Sequence, residues 1–556
     1  MVNNISKIKK ILCIVFVISF LLSSCGLNDN KDLSLNVGTT KITGCFNPFY
    51  AVEDGDIKVI NQVFDSILRR KTNNTFQNEA GSISYQLLDD GKVKYTVSIR
   101  DDLYFSDGSR VTIDDVIFWY YFISDATYEG VYSDFYLNDI VGLKEYYYDD
   151  PSYEDRATEF EVIDFNRKII SEYISENYSD GIDVNTISGI KRIDDYTCTV
   201  LCNSMNINMV SQLNCYLISK TFYSSDYTKG NADKVKSLTA DAPGSGVYSI
   251  DSFDSAKGIA HLTVNSYHQI KPAFNRVNII SSDEKDLIKK IKSGKLDIIS
   301  LESDNKSFGE LDSDNITCRE IYSPEYVSLY INVYKHDDIN FRKYVFSLVN
   351  VFVFVDKSLQ NRYSRLYRPL SMRSEEYPQN ASAYVFSVSD ESKPKNQMNM
   401  NLYCCSDKDS FEKEVADYIA DSLTQNGIIT RVVVCTYDEL VKAAQNGKAD
   451  LWLVKNPDIF TCDKYEYYHS EGKNNLTGLS LPAIDTLTEN IRTSTGESNR
   501  KNLVSALLDY VMSNANELPL YQRKYIVAFN TEKINNDSLS DVNLYDGNNL
   551  RLSSLY

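Results

Sequence analysis

Four histidines, His261, His268, His336 and His469, stand alone in the chain, so a zinc centre or a Ser-His-Asp triad would have to be assembled from isolated positions. The sequence contains no G-x-S-x-G elbow, no H-E-x-x-H, no P-loop and no C-x-x-C. Ser282-Asp283-Glu284-Lys285 has the S-x-x-K spacing of penicillin-recognising enzymes, but the start of a helix accounts for it. Setting aside Cys13 and Cys25 near the start leaves nine cysteines: Cys45, Cys198, Cys202, Cys215, Cys318, Cys404, Cys405, Cys435 and Cys462. An odd number cannot all pair, and several fall among apolar residues, where cysteine behaves as a small hydrophobe. Buried thiols are expected, with room for a disulfide whose partners the sequence does not identify. These residues make no catalytic constellation: the chain reads as a non-enzyme without metal or cofactor.

A chain of 556 residues exceeds the roughly 250 to 300 residues at which one core stops growing, so two or three lobes are expected. Its 58 basic and 77 acidic residues give a net charge of -19, which opposes binding to a phosphate backbone and excludes nucleic acid as a partner. Only 23 glycines and 11 prolines, against 41 tyrosines and 24 phenylalanines, describe an ordered globular chain.

Lys7, Lys9 and Lys10 precede the apolar run Ile11 to Leu22, the charged-then-apolar order of a secretory signal. That run is too short for a spanning helix, which needs about 20 residues. It ends in Leu22-Ser23-Ser24-Cys25, which resembles a bacterial lipobox and implies lipidation of Cys25 as the first mature residue. Gly26 to Leu33 reads as a polar tether.

Positioning elements follow from periodicity. Val93, Tyr95, Val97 and Ile99 alternate with polar residues as in a strand with one buried face. Ser106 to Ser109 forms a turn on Gly108, and Thr112 with Asp115 forms a capping box for a helix whose stripe is Ile113, Val116, Tyr120 and Ile123. This run, DDLYFSDGSRVTIDDVIFWYYF, resembles the signature of the family 5 bacterial extracellular solute-binding proteins, the oligopeptide and dipeptide receptors of ABC importers. Four further segments resemble that family in the same order: FNPFY before a helix from about Asp56; APGSGVYSIDSFD; KPAFNRVNIISSDEKDLIKKIKSGKLDIIS; and YVSLYINVYKHDDINFRKYVFSLVNVFVFVDKSL, which carries Asn332, Arg342 and Asp356. ELPLYQRKYIVAFN resembles the family's terminal return to the first lobe. DLIKKIKSGKLDIISL is echoed by ELVKAAQNGKADLWLV, each a helix, Gly-Lys-x-Asp and a strand, which reads as a shared helix-to-strand junction.

The resemblance implies a two-lobed α/β periplasmic-binding-protein-like fold (type II, family 5) with an extra small subdomain in the first lobe. The expected division is a signal peptide at 1–24, a lipidated tether at 25–34, a first lobe from 35–80, 191–281 and 517–556 carrying the subdomain 81–190, and a second lobe at 282–516. Ligand contacts are implied at Asn47, Phe49, Glu53 and Asp54, where a plain surface turn is the alternative, and at Tyr326, Asn332, Trp452 and Asp458. Asp458 is the nearest candidate for the acid that holds a peptide's amino terminus, although the segment is shortened and Trp452 falls on the strand. The implied partners are a peptide or other small solute, an ABC permease and ATPase, and the membrane through the lipid anchor alone, for a monomer on the outer face of the cell membrane. The second reading is a surface lipoprotein that keeps the fold as a signalling or structural partner without transport.

Overall fold

A computed structural model describes residues 33–71, 75–158, 160, 167–302, 311, 314–359, 362–389, 392–406, 410–457, 462–539 and 550–556. Cys25 and Asp458 lie outside the described residues. Among those described, no helix is long and apolar enough to cross a membrane.

One eleven-stranded sheet runs through the molecule. From one edge its order is Ile428–Cys435, Met398–Cys405, Leu451–Pro457, Ile316–Ile331, Glu517–Asn530, Ile298–Glu302, Ser34–Thr39, Arg276–Ser281, Ile259–Val264 and Tyr248–Asp254, with Tyr363–Arg365 paired beside Glu517–Asn530. Two strands join the halves. Ile316–Tyr322 pairs with Lys524–Asn530, and beyond a register shift Tyr326–Tyr330 pairs with Glu517–Gln522. Such an irregularity bends and twists the ribbon locally. Each half has its own core: Leu35, Val37, Val277 and Ile279 in one, and Val327, Leu329, Leu402, Val415, Ile419 and Leu451 in the other. This is the expected α/β architecture of two lobes.

The strand, turn and helix around Asp107 form as the sequence pattern requires. Val93–Ile99 buries every second side chain, and it sits in a separate four-stranded sheet between Gly81–Leu87 and Thr197–Cys202. Gly108 has φ of 86°, a conformation that side-chain-bearing residues resist. The helix Ile113–Ile123 buries Ile113, Val116, Tyr120 and Ile123, and the Thr112 N–H donates to the Asp115 carboxylate at 2.8 Å. Burial raises the Asp115 carboxyl above its ordinary value, opposed by the N–H groups of Thr112 and Lys220.

Three expectations from the sequence pattern change: a buried helix stripe of Ile57, Ile60, Val63, Phe64 and Ile67, a capping box of Ser281 with Glu284, and a sharp turn made possible by Gly244 and Gly246. The helix after FNPFY ends at Val63, so Phe64, on extended backbone, and Ile67, in the bend that follows, reach the core from beyond the helix. The helix Glu284–Lys292 is capped by Asp283, whose carboxylate accepts the Asp286 N–H at 2.8 Å, while the Ser281 hydroxyl turns to the Thr40 carbonyl. Gly244 and Gly246 matter for close packing, because a Cβ would lie 2.3 Å from the Val63 carbonyl oxygen and 2.6 Å from that of Gln62. The tyrosine-rich stretch after Asp125 builds its own small core, in which Tyr136 stacks on Tyr147 at 4.0 Å and Tyr148 packs on Phe160 at 4.5 Å.

Candidate functional site

Period-two geometry divides the strand Ile316–Ile331 into two chemically distinct faces. Val327, Leu329 and Ile331 enter the aliphatic core beneath the helix Phe411–Gln425, whereas Tyr326, Ser328 and Tyr330 face the other way. Tyr330 lies opposite Glu517 on one neighbouring strand and opposite Trp452 on the other. The Tyr330 and Trp452 rings stack at 5.9 Å and 11°.

Polar groups converge on this face although they are far apart in sequence. Lys464 and Glu517 are both buried. The Lys464 ammonium donates to the Tyr326 hydroxyl oxygen at 2.8 Å, and the Tyr468 hydroxyl donates to Glu517 at 2.5 Å. Burial raises the Glu517 carboxyl above its ordinary value; the Lys464 charge and the Tyr468 hydroxyl work in the opposite direction. The Tyr330 hydroxyl donates to the Asn456 amide oxygen at 2.7 Å, and Asn456 leaves its buried amide nitrogen without a protein acceptor. Asn456 borders a cavity of about 300 Å³ walled by Tyr330, Trp452, Tyr437 and Tyr467. The arrangement suits a ring or apolar side chain that presents one hydrogen-bond acceptor to Asn456.

The first lobe has a cavity of about 290 Å³ lined by Asn61, Arg69, Glu79, Tyr132, Ser211 and Tyr216. Its charges are largely engaged with one another, Arg69 pairing with Glu79 and Arg551 approaching Glu79 at 3.8 Å. A polar bridge links the lobes. The Asn208 amide and the Arg492 guanidinium both donate to one oxygen of buried Asp463, at 2.6 and 2.8 Å, and the Ile207 N–H donates to the Arg492 carbonyl at 2.9 Å. Short helices begin directly after the bridging residues, Met209–Leu213 in the first lobe and Tyr465–Tyr468 in the second, and each contributes to its lobe's cavity.

The expected site residues divide into three groups. Tyr326 and Trp452 lie beside Tyr330 on the second-lobe face, Trp452 opposite it on the neighbouring strand and Tyr326 four residues before it on the same strand, outside the cavity wall. Asn47, Phe49 and Asn332 are committed to the protein's own interior. Asn47 donates to the carbonyls of Val235 and Leu238 at 2.8 and 2.9 Å, and Phe49 packs on Trp119 and Phe122 at 4.5 and 4.4 Å. Asn332 donates to the carbonyls of Ala444 and Ala449 at 3.3 and 3.2 Å. Glu53 pairs with Lys41 at the surface at 2.5 Å, and Asp54 is exposed at the start of its helix. Lys464, Glu517, Asn456, Asp463 and Arg492 escaped the sequence reading. Alternation of polar Tyr326, Ser328 and Tyr330 with aliphatic Val327, Leu329 and Ile331 was the available signal for the polar face.

The Ser282 hydroxyl accepts from Lys290 at 2.8 Å, a capping-region contact that provides no activated nucleophile. Among the described residues no group of three or more His, Cys, Asp or Glu is placed to hold a metal ion.

Solved structures share the fold, three of them as follows. AppA from Clostridium difficile, a protein assigned to peptide binding, superposes with a TM-score of 0.72 at 12% identity, covering 94% of this chain and 99% of its own. The oligopeptide-binding protein AppA from Bacillus subtilis, in complex with a nonapeptide, gives 0.64 at 14% identity over 90% of this chain and 95% of its own. NikZ from Campylobacter jejuni, in complex with Ni(L-His), gives 0.62 at 15% identity over 90% and 94%. At these identities the likeness speaks for the fold alone. A search of the curated proteins found no match. The sequence profile of the bacterial extracellular solute-binding proteins, family 5 (Middle), matches residues 83–478, more than half of the chain, so the protein belongs to the family 5 bacterial extracellular solute-binding proteins.

Proposed function

We propose that this chain is a lipid-anchored receptor on the outer face of the cell membrane, which closes its two lobes on a peptide or similar small solute and delivers it, as a monomer, to an ABC permease and its ATPase. The observation that carries this reading is the bridge from Asn208 to Asp463 and Arg492, with a cavity in each lobe on the helix that follows it. The lobes are taken to turn about the register shift at Tyr322 to Tyr326, the junction between the two paired halves of the long strand. Ligand that touches both lobes favours closure by its differential affinity for the closed state.

Cys25 is the proposed lipidation site, from the charged start, the short apolar run and Leu22-Ser23-Ser24-Cys25 together. Cys25→Ser is then released or left unprocessed, and a mature, lipid-bearing variant on the membrane would rule the anchor out. Asp458 remains the proposed partner of a peptide's ammonium. Asp458→Ala then weakens peptide binding at least about tenfold in calorimetry, since removing one member of a desolvated charge pair costs about 2 to 5 kcal/mol; equal affinities would remove that anchor.

The decisive experiment is mass spectrometry of small molecules carried by the protein from its native cells, followed by small-angle scattering with the compound identified. Compaction at saturation is expected, and an unchanged radius defeats the closing-receptor reading. Closure without any contribution to uptake would instead favour the non-transporting surface lipoprotein.

A further inference from the structure

We propose that Cys405 and Cys435 are the site of a reversible disulfide that staples the edge strand of the second lobe to its neighbour. The two residues end adjacent parallel strands in direct register, which places their side chains on the same face of the sheet. Their sulfurs are 3.6 Å apart. Neighbouring strands lie about 4.8 Å apart, within the Cα spacing of about 4.4 to 6.8 Å that disulfides occupy. A small side-chain rotation therefore suffices to close the bond. Both residues are partly exposed, whereas Cys198, Cys202, Cys215, Cys404 and Cys462 are buried. Burial raises the thiols of these five. The Cys435 thiol moves the other way, chiefly because the Cys405 S–H hydrogen-bonds to it.

The oxidant is a small-molecule disulfide of the oxidised-glutathione class. The Cys435 thiolate attacks one of its sulfurs, forming a mixed disulfide and expelling a thiolate. Cys405, after its proton passes to water, attacks the Cys435 sulfur and expels the second thiolate. Two protein thiols are thereby oxidised and one small disulfide is reduced to two thiols. Oxidation replaces the weak Cys405 contact to the Thr436 carbonyl at 3.7 Å. Thr436 caps the helix Tyr437–Gln445, whose first residue walls the aromatic cavity, so the cross-link fixes that wall. An oxidising compartment is taken from the export reading; the pair's geometry is independent of it.

The test uses the purified full chain, reduced, then exposed to oxidised glutathione, blocked with N-ethylmaleimide and digested without reductant. The expected product is a peptide joining Cys405 to Cys435, about 2 Da lighter than its two thiol peptides together, present in Cys404→Ser and absent in Cys435→Ser and Cys405→Ala. The oxidised protein should unfold several degrees higher, by about 2 to 8 °C for a staple of this kind. Full maleimide labelling of both cysteines after oxidation, a link to another partner, or an unchanged unfolding midpoint would each overturn the proposal. Failure of ligand-binding experiments leaves these readouts intact, and failure here leaves the receptor reading intact.

Discussion

Asp297, just before the strand Ile298–Glu302 beside Ser34–Thr39, and Asp450, just before Leu451–Pro457 in the other half of the sheet, occupy the same place in two copies of one local design. Each follows a helix, Glu284–Lys292 or Tyr437–Gln445, that ends at a glycine with φ of 70° or 66°. Lys295 and Lys448 send their N–H groups back to the carbonyls of Lys290 and Ala443 at 2.9 and 2.8 Å. The backbone and carboxylate of Asp297 clasp the backbone of Asn36, and those of Asp450 clasp Asn401 in the same way. The carbonyls of Asp297 and Asp450 accept from Asn530 and Asn332 at 2.8 and 2.9 Å. Their charge partners differ. Asp297 meets the Lys533 ammonium at 2.9 Å, on a side chain that is 29% exposed. Asp450 meets Lys335 and His336, each at 2.8 Å, with the histidine itself buried. Backbone chemistry fixes this junction at both places, and tertiary surroundings decide how much charge each aspartate must balance.

The largest effect should separate the two. Asp450→Ala leaves His336 buried without its acceptor and orphans the Asn401 N–H, for a cost of about 3 to 5 kcal/mol in urea unfolding. Asp297→Ala should cost about 1 to 3 kcal/mol, because the freed Lys533 ammonium reaches water while the Asn36 N–H is orphaned. Equal losses would mean that the charge partners are immaterial and the backbone clasp accounts for everything.

A smaller effect should be the same at both junctions. Gly294→Ala and Gly447→Ala meet no atom within 4 Å, so their cost is the left-handed backbone alone, about 1 to 2 kcal/mol each. A difference above about 1 kcal/mol would show that the two junctions are not equivalent in the backbone either.

The smallest effect is in the acid limb. Burial acts to raise the Asp450 carboxyl, but His336, Lys335 and the Asn401 N–H prevail and hold it below its ordinary 3.8. A depressed folded pKa stabilises fully above the unfolded value, and that stability is lost as pH falls through the lower folded value. The urea midpoint of the native protein should therefore converge on that of Asp450→Asn as pH falls below about 4. Parallel profiles for the two proteins would remove Asp450 as a source of acid sensitivity.

Much of this was legible in the sequence because its causes are local. The alternation from Val93 to Ile99, the Thr112 and Asp115 cap, and the helix, glycine and aspartate of both junctions depend on residues a few positions apart, whose spacing alone sets which face they share. The echo between Asp286 and Glu439 was visible for the same reason, and so was the family signature that gave the two-lobed fold. Asn47, Phe49 and Asn332 show the limit: a polar or aromatic residue in a matching segment has the same letter whether it faces a ligand or, as here, satisfies interior carbonyls and packs a core. Strand register alone sets Tyr330 between Glu517 and Trp452 and aligns Cys405 with Cys435. Packing between segments brings Lys464 to Tyr326 and sets Asn208 against Asp463. Such meetings depend on how distant strands align and how lobes pack, and a slip of one residue would turn each strand's side chains to the opposite face, so the sequence determined the elements while the tertiary structure decided which side chains face one another.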